Sequence, residues 1–189
     1  MPSPMPEHDE PVTGGPRPLP SPERLQELLF DAARLGRADM IPALVSAGID
    51  LEAHDPKGYT ALILASYHGS LETTQALLEA GAQVDAPDLG RGNTALMGVA
   101  FKGFGAVARL LLAAGAEPNR RNRAGQTALM MAAMFSHAQI VEDLITAGAD
   151  IDWTDAAGNS AKSLACTQGN AAMAMLLEVA SPSINLFNG

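Results

Sequence analysis

The chain has 189 residues, a hydrophobic share of 47%, aromatics at only 4%, and a formal net charge of −9. That length fits one domain with an alanine- and leucine-built core, and the acidic balance argues against nucleic acid or an anionic membrane surface as the primary ligand, since both need a basic field. A single cysteine, Cys166, rules out an intrachain disulfide and a paired-cysteine metal site.

Met1 to Pro20 is proline-rich and carries Glu7, Asp9 and Glu10. Such a segment buries too little apolar surface to offset its ordering entropy, so residues 1–20 are expected to be a disordered tail. Pro16-Arg-Pro-Leu-Pro is its one candidate polyproline ligand. There is no basic start followed by an apolar core, and no run of about 18 apolar residues, so neither a secretory leader nor a membrane span is expected. The cytoplasm is the expected compartment, with signal-independent export left open.

Order is expected from Ser21-Pro22-Glu23, which supplies an N-cap, a first-turn proline and a first-turn acid. From there a turn, a short helix, a tight link, a second helix and a glycine stop recur. Thr60, Thr94, Thr127 and Ser160 hold equivalent places, at steps of 34, 33 and 33 residues, and Gly48, Gly81, Gly115 and Gly148 close the second helices. The helices fall near 61–67 and 71–80, 95–102 and 105–114, 128–135 and 138–147, and 161–168 and 170–179. No such pair buries both of its faces alone, so each needs a copy on either side.

The quoted residues Gly58-Tyr-Thr-Ala-Leu, Gly92-Asn-Thr-Ala-Leu and Gly125-Gln-Thr-Ala-Leu, with the Leu-Leu-x-x-Gly-Ala endings at Leu77 and Leu111, resemble the ankyrin repeat family. The resemblance runs from about Glu23 to Ala180. It implies an all-α solenoid of about five helix-turn-helix repeats with short hairpin loops. The repeats are placed near 21–54, 55–87, 88–121, 122–154 and 155–180, with a C-terminal tail at 181–189. The first repeat is more polar, and in the last Lys162 replaces the buried leucine, as end-capping repeats require. Ser181 to Phe187 is expected to fold back over that end, with a protruding docking segment as the alternative. The family's usual proline and histidine are replaced by Ala61, Ala95 and Ala128 and by Ile63, Met97 and Met130, so apolar packing is expected where the family makes buried polar contacts.

No catalytic constellation emerges. There is no serine elbow and no phosphate-binding glycine loop, and Asp55, Asp88 and Asp155 recur as turn acceptors. His54 and His68 lack a metal-ligand pattern, and His137 stands where the resemblance implies a structural histidine. Met97, Met130 and Met131 are expected as core fillers, and Cys166 as an inert buried thiol. Neither a cofactor nor a metal is expected, and the chain is expected not to be an enzyme.

The groove carries the functional expectation. The two residues before each inter-helix glycine should face a concave wall: Arg34 and Leu35, Tyr67 and His68, Phe101 and Lys102, Met134 and Phe135, Thr167 and Gln168. In a chain with so few aromatics, Tyr67, Phe101 and the Met134–Phe135 pair in one row mark a protein contact, the alternative being packing against the next inner helix. The hairpin tips add His54, Lys57 and Tyr59, then Arg91 and Asn93, then Arg120, Arg121, Arg123 and Gln126, then Trp153, Thr154 and Asn159. Their arginines suit acidic side chains on a partner. The expected function is a non-catalytic, monomeric module binding one protein partner. Gly92 to Gly103 also resembles small bacterial ankyrin proteins, some of which accompany catalases in oxidative-stress defence. The alternative is a secreted effector acting on host proteins, or the antagonist of one.

Overall fold

The computed structural model describes residues 20–181. The expectations placed on the proline-rich tail and on the C-terminal fold-back lie outside those residues. Within them the chain forms ten α-helices in five antiparallel pairs and no strand: α1 (Pro22–Leu35) and α2 (Ile41–Ser46), α3 (Ala61–Tyr67) and α4 (Leu71–Glu79), α5 (Ala95–Lys102) and α6 (Gly105–Ala113), α7 (Ala128–Met134) and α8 (Ala138–Thr146), α9 (Ala161–Thr167) and α10 (Ala171–Ala180). Every helix of repeats two to five starts and stops within one residue of its expected bounds.

The cause is local chemistry repeated in register. Thr60, Thr94, Thr127 and Ser160 each accept a hydrogen bond from the amide three residues on, at 3.2–3.4 Å, and so satisfy a donor that the first turn leaves orphaned. Ser21 caps α1 in the same way, and Pro22 takes the first helical position. Pro42 falls at the start of α2, where no amide is needed, behind a short 3-10 turn at Ala38–Met40.

Packing joins the copies. Leu77, Leu111, Leu144 and Leu177 hold the same place on successive outer helices, and all are fully buried. Each such burial contributes about 1.5–3 kcal/mol. Between inner helices the contacts are made by Ala61, Ala65, Ala95, Ala100, Ala132 and Ala133, whose small side chains let the backbones approach. The inner helices consequently pack more closely on one another than the outer helices do. Met97 and Met130 are buried beside these alanines, filling the core as expected.

The link between paired helices needs a left-handed residue. Gly36, Gly69, Gly103 and Gly169 supply it, with φ between 71° and 83°, but repeat four uses Ser136 at φ 64°. At Gly103 a side chain is also excluded by contact, because an added Cβ would meet the His137 ring at 2.5 Å. His137 earlier stood as a structural residue, and its Nε2 donates to the Phe101 carbonyl at 3.2 Å.

The last repeat differs from one expectation. Cys166 is exposed, not buried. It occupies the place of the buried Ala133 of repeat four, but among the described residues no sixth repeat covers it. Beside it Lys162, in the leucine place, pairs with Glu178 at 3.1 Å on the last described helix pair.

Candidate functional surface

The inner-helix ends bring three aromatic rings into contact across successive repeats. Tyr67 stacks on Phe101 with centroids 6.4 Å apart, and Phe135 meets Phe101 edge to face at 4.5 Å. Their relative exposures are 41%, 39% and 43%, so each ring is packed on one side and open to solvent on the other. His68 packs edge-on against Tyr67. The Lys102 ammonium lies 5.2 Å from the Tyr67 centroid and 6.0 Å from that of Phe104, within cation–π reach of both. Met134 is half-buried beside the row, and Leu35 extends its exposed apolar surface into repeat one. Arg34 departs from its expected place. Its guanidinium turns away to Asp31 at 3.0 Å and Asp55 at 2.5 Å, because Asp55 is a buried carboxylate that needs a countercharge.

The tips are built on one acceptor each. Asp55 accepts from the amides of Lys57 and Tyr59, Asp88 from those of Arg91, Gly92 and Asn93, and Asp155 from those of Ala157 and Asn159. Asn122 does the same in repeat four, with its Oδ1 on Ala124 and Gln126. Burial by itself would raise the Asp55 carboxyl, but the Tyr59 amide, the Arg34 guanidinium and the Lys57 amide outweigh it and hold the group below its ordinary value. The Asn159 amide, joined by the Asn159 side chain and the Ala157 amide, lowers Asp155 against a smaller burial effect.

Successive tips are also tied to one another, which the sequence did not announce. The amides of Leu89, Arg123 and Ala156 donate to the carbonyls of Gly58, Arg91 and Ala124, each at 2.9 Å. Side chains repeat the pattern. His54 Nε2 donates to the Pro87 carbonyl at 3.1 Å, Arg123 to the Gly90 carbonyl at 2.6 Å, and Arg121 to the Thr154 carbonyl at 3.1 Å. Arg121 also lies over Trp153, 4.5 Å from its ring centroid. Arg120 stands 3.9 Å from Asp85. Tyr59 and Arg91 are exposed, and Arg91 makes no side-chain hydrogen bond among the described residues. Arg121 and Arg123 thus also hold the tips together. A shallow pocket of about 280 Å³ lies among Arg120, Arg121, Arg123 and Asp85.

Among the described residues no group of three or more His, Cys, Asp or Glu side chains is placed to hold a metal ion. None of the described helices is long and apolar enough to cross a membrane.

Comparison with known proteins agrees with this geometry. The family model described as ankyrin repeats (3 copies) matches residues 29–122 and 96–188. The chain is 37% identical over 95 residues to the ankyrin repeat domain-containing protein SAT10 of Stachybotrys chartarum, covering 50% of this chain and 5% of that one. It is 40% identical over 86 residues to an ankyrin repeat-containing protein of Treponema pallidum, covering 46% and 29%. It is 35% identical over 101 residues to the E3 ubiquitin-protein ligase Ufd4 of Drosophila melanogaster, covering 53% and 4%. The chain thus spans less than a third of the length of each.

Proposed function

The chain belongs to the ankyrin repeat family, and from that premise we propose that it is a non-catalytic module that grips one protein partner along the inner face of the stack. Ankyrin repeats generally mediate protein–protein interaction. The observation that supports this use here is the unbroken row Tyr67–Phe101–Phe135, each ring about two-fifths exposed. Half-open aromatics in contact with one another offer a partner a preordered apolar anchor at little further entropic cost. His68, Lys102 and Met134 flank the anchor, and Tyr59, Arg91, Arg121 and Arg123 border the opposite edge.

The test is affinity capture from native lysate with mass spectrometry, using the wild-type chain and the Phe101→Ala/Phe135→Ala variant. Capture is expected to be lost while the melting temperature falls by only a few degrees. Undiminished capture by the variant refutes the site. The module is proposed to act as a monomer, which sedimentation checks. The finer placement beside oxidative-stress defence rests on the Gly92–Gly103 resemblance alone. Unchanged peroxide survival of a deletion strain would remove it. The effector alternative requires the protein outside its cell of origin, and fractionation decides that.

A further inference from the structure

Charge is divided by face in this molecule. The net charge is −9, yet α3, α5, α7 and α9 contain no aspartate or glutamate. Outside α1, which carries the exposed Glu23 and Glu27, exposed carboxylates stand on the outer helices and on the loops leaving them, among them Glu72, Glu79, Glu117, Glu142 and Asp150. The cations divide the opposite way. Arg24, Arg34, Arg37, Arg109, Arg120 and Lys162 each lie within 3.9 Å of a carboxylate. The described basic side chains with no such partner are Lys57, Arg91, Lys102, Arg121 and Arg123. All five are exposed, and all five sit on the tips of repeats two to four or at the aromatic row. Arg121 and Arg123 spend N–H groups on neutral carbonyls, which leaves their charge uncompensated. Asp85, which lines a shallow pocket with them, is already taken by the Glu117 amide and Arg120, and Asp88 and Asp155 spend their oxygens on the amides of their own turns. On a chain with this excess of acid, five unneutralised cations gathered on one face make a field directed outward from it.

We infer that the occupant of this face is an acidic segment of another protein, with an aromatic or proline anchor on the Tyr67–Phe101–Phe135 row and carboxylates over the tips. The inference deepens the protein-binding role proposed above and rests on it. The spacing follows from the helix between the two features. The eight residues of α5 separate tip from row by about 12 Å, which an extended chain spans in about four residues. Anchor and acidic run should therefore be about four residues apart.

A phage-displayed library of random 12-residue peptides, selected on the full chain and followed by fluorescence anisotropy at low and high salt, tests this. Enrichment of net-negative peptides containing Phe, Tyr, Trp or Pro is expected. Lys57→Glu/Arg91→Glu should weaken them about tenfold or more and flatten their salt dependence, whereas Phe101→Ala should weaken them at both salt concentrations. Among the described residues neither Lys57 nor Arg91 bonds another through its side chain, and circular dichroism of the charge variant checks its fold. Neutral or basic winners, or acidic ones indifferent to the charge reversal, overturn the inference; if Phe101→Ala still releases them, the groove itself stands. Peptides indifferent to both Phe101→Ala and Phe135→Ala overturn the groove as well. Salt-dependent binding of a 12-nucleotide oligouridylate that displaces the peptides would make the ligand nucleic acid and overturn the inference. A tenfold gain in peptide affinity on Glu7→Gln/Asp9→Asn/Glu10→Gln would make the chain's own N-terminal segment the occupant. A concentration-dependent dimer dissolved by the charge reversal would make it a second copy. Either result overturns the partner assignment.

Discussion

Replacing Gly103 by alanine separates two reasons for a glycine, backbone conformation and close contact. Gly103 and Gly115 lie in the same repeat, both left-handed, with φ of 83° and 88°. A Cβ at Gly115 would meet nothing within 4 Å, whereas one at Gly103 would stand 2.5 Å from His137 Cε1. The conformational penalty of about 1–2 kcal/mol applies to both, and alanine returns some of it, about 0.4–1 kcal/mol, by restricting the unfolded chain. Gly115→Ala should therefore lose about 1 kcal/mol. At Gly103 the ring must also move, breaking the His137–Phe101 hydrogen bond, which adds about 1 kcal/mol, with lost packing beyond that. Gly103→Ala should lose about 2–3 kcal/mol in urea unfolding. On a His137→Ala background the excess should vanish, giving a coupling of about 1 kcal/mol or more in the double-mutant cycle. Equal losses at Gly103 and Gly115, or additivity with His137→Ala, would refute the contact.

Other perturbations follow from the same geometry. Ser136→Gly should raise stability by about 0.5 kcal/mol, because relief of the left-handed serine outweighs the exposed bond that Asn170 donates to Ser136 Oγ; a loss in urea unfolding would show that bond to dominate. Asp55→Ala should cost about 2–4 kcal/mol by orphaning two amides and leaving Arg34 only its Asp31 partner, whereas Asp55→Asn should cost less, since Asn122 serves the same turn in repeat four. The native Asp55 carboxyl titrates below its ordinary 3.8, so its contribution is complete above that value and is lost as pH falls through the lowered one. Urea midpoints between pH 7 and pH 3 should fall less steeply for Asp55→Asn than for wild type. Cys166 should react fully with a thiol reagent under native conditions, and protection until denaturant is added would contradict its exposure.

The helices were legible because caps and stops recur at fixed distances from residues whose backbone roles are narrow. Thr60 and Gly81 mean much the same thing wherever their register recurs. The position of the aromatic row was legible for the same reason. The contact of Phe135 with Phe101 was not, since it depends on how far one repeat turns relative to the next. Arg34 was misplaced because its partner Asp55 lies 21 residues away, in a different repeat. Cys166 was misplaced because its register belongs to the buried Ser66, Ala100 and Ala133, and only the absence of a following repeat among the described residues exposes it. Ser136 did leave a signal, as the one non-glycine in the glycine register, and its left-handed backbone follows from that.

The Lys162–Glu178 pair has a bearing on assembly. In a solenoid whose units are interchangeable, the open end of one molecule is a template for the first helices of another, and head-to-tail growth into filaments needs no new chemistry. A charge pair in the leucine place withholds the apolar seat such growth requires, because any incoming helix would have to strip water from both ions. Lys162 and Glu178 therefore oppose head-to-tail growth at this end of the described residues, and Lys162→Leu should promote self-association that sedimentation would read.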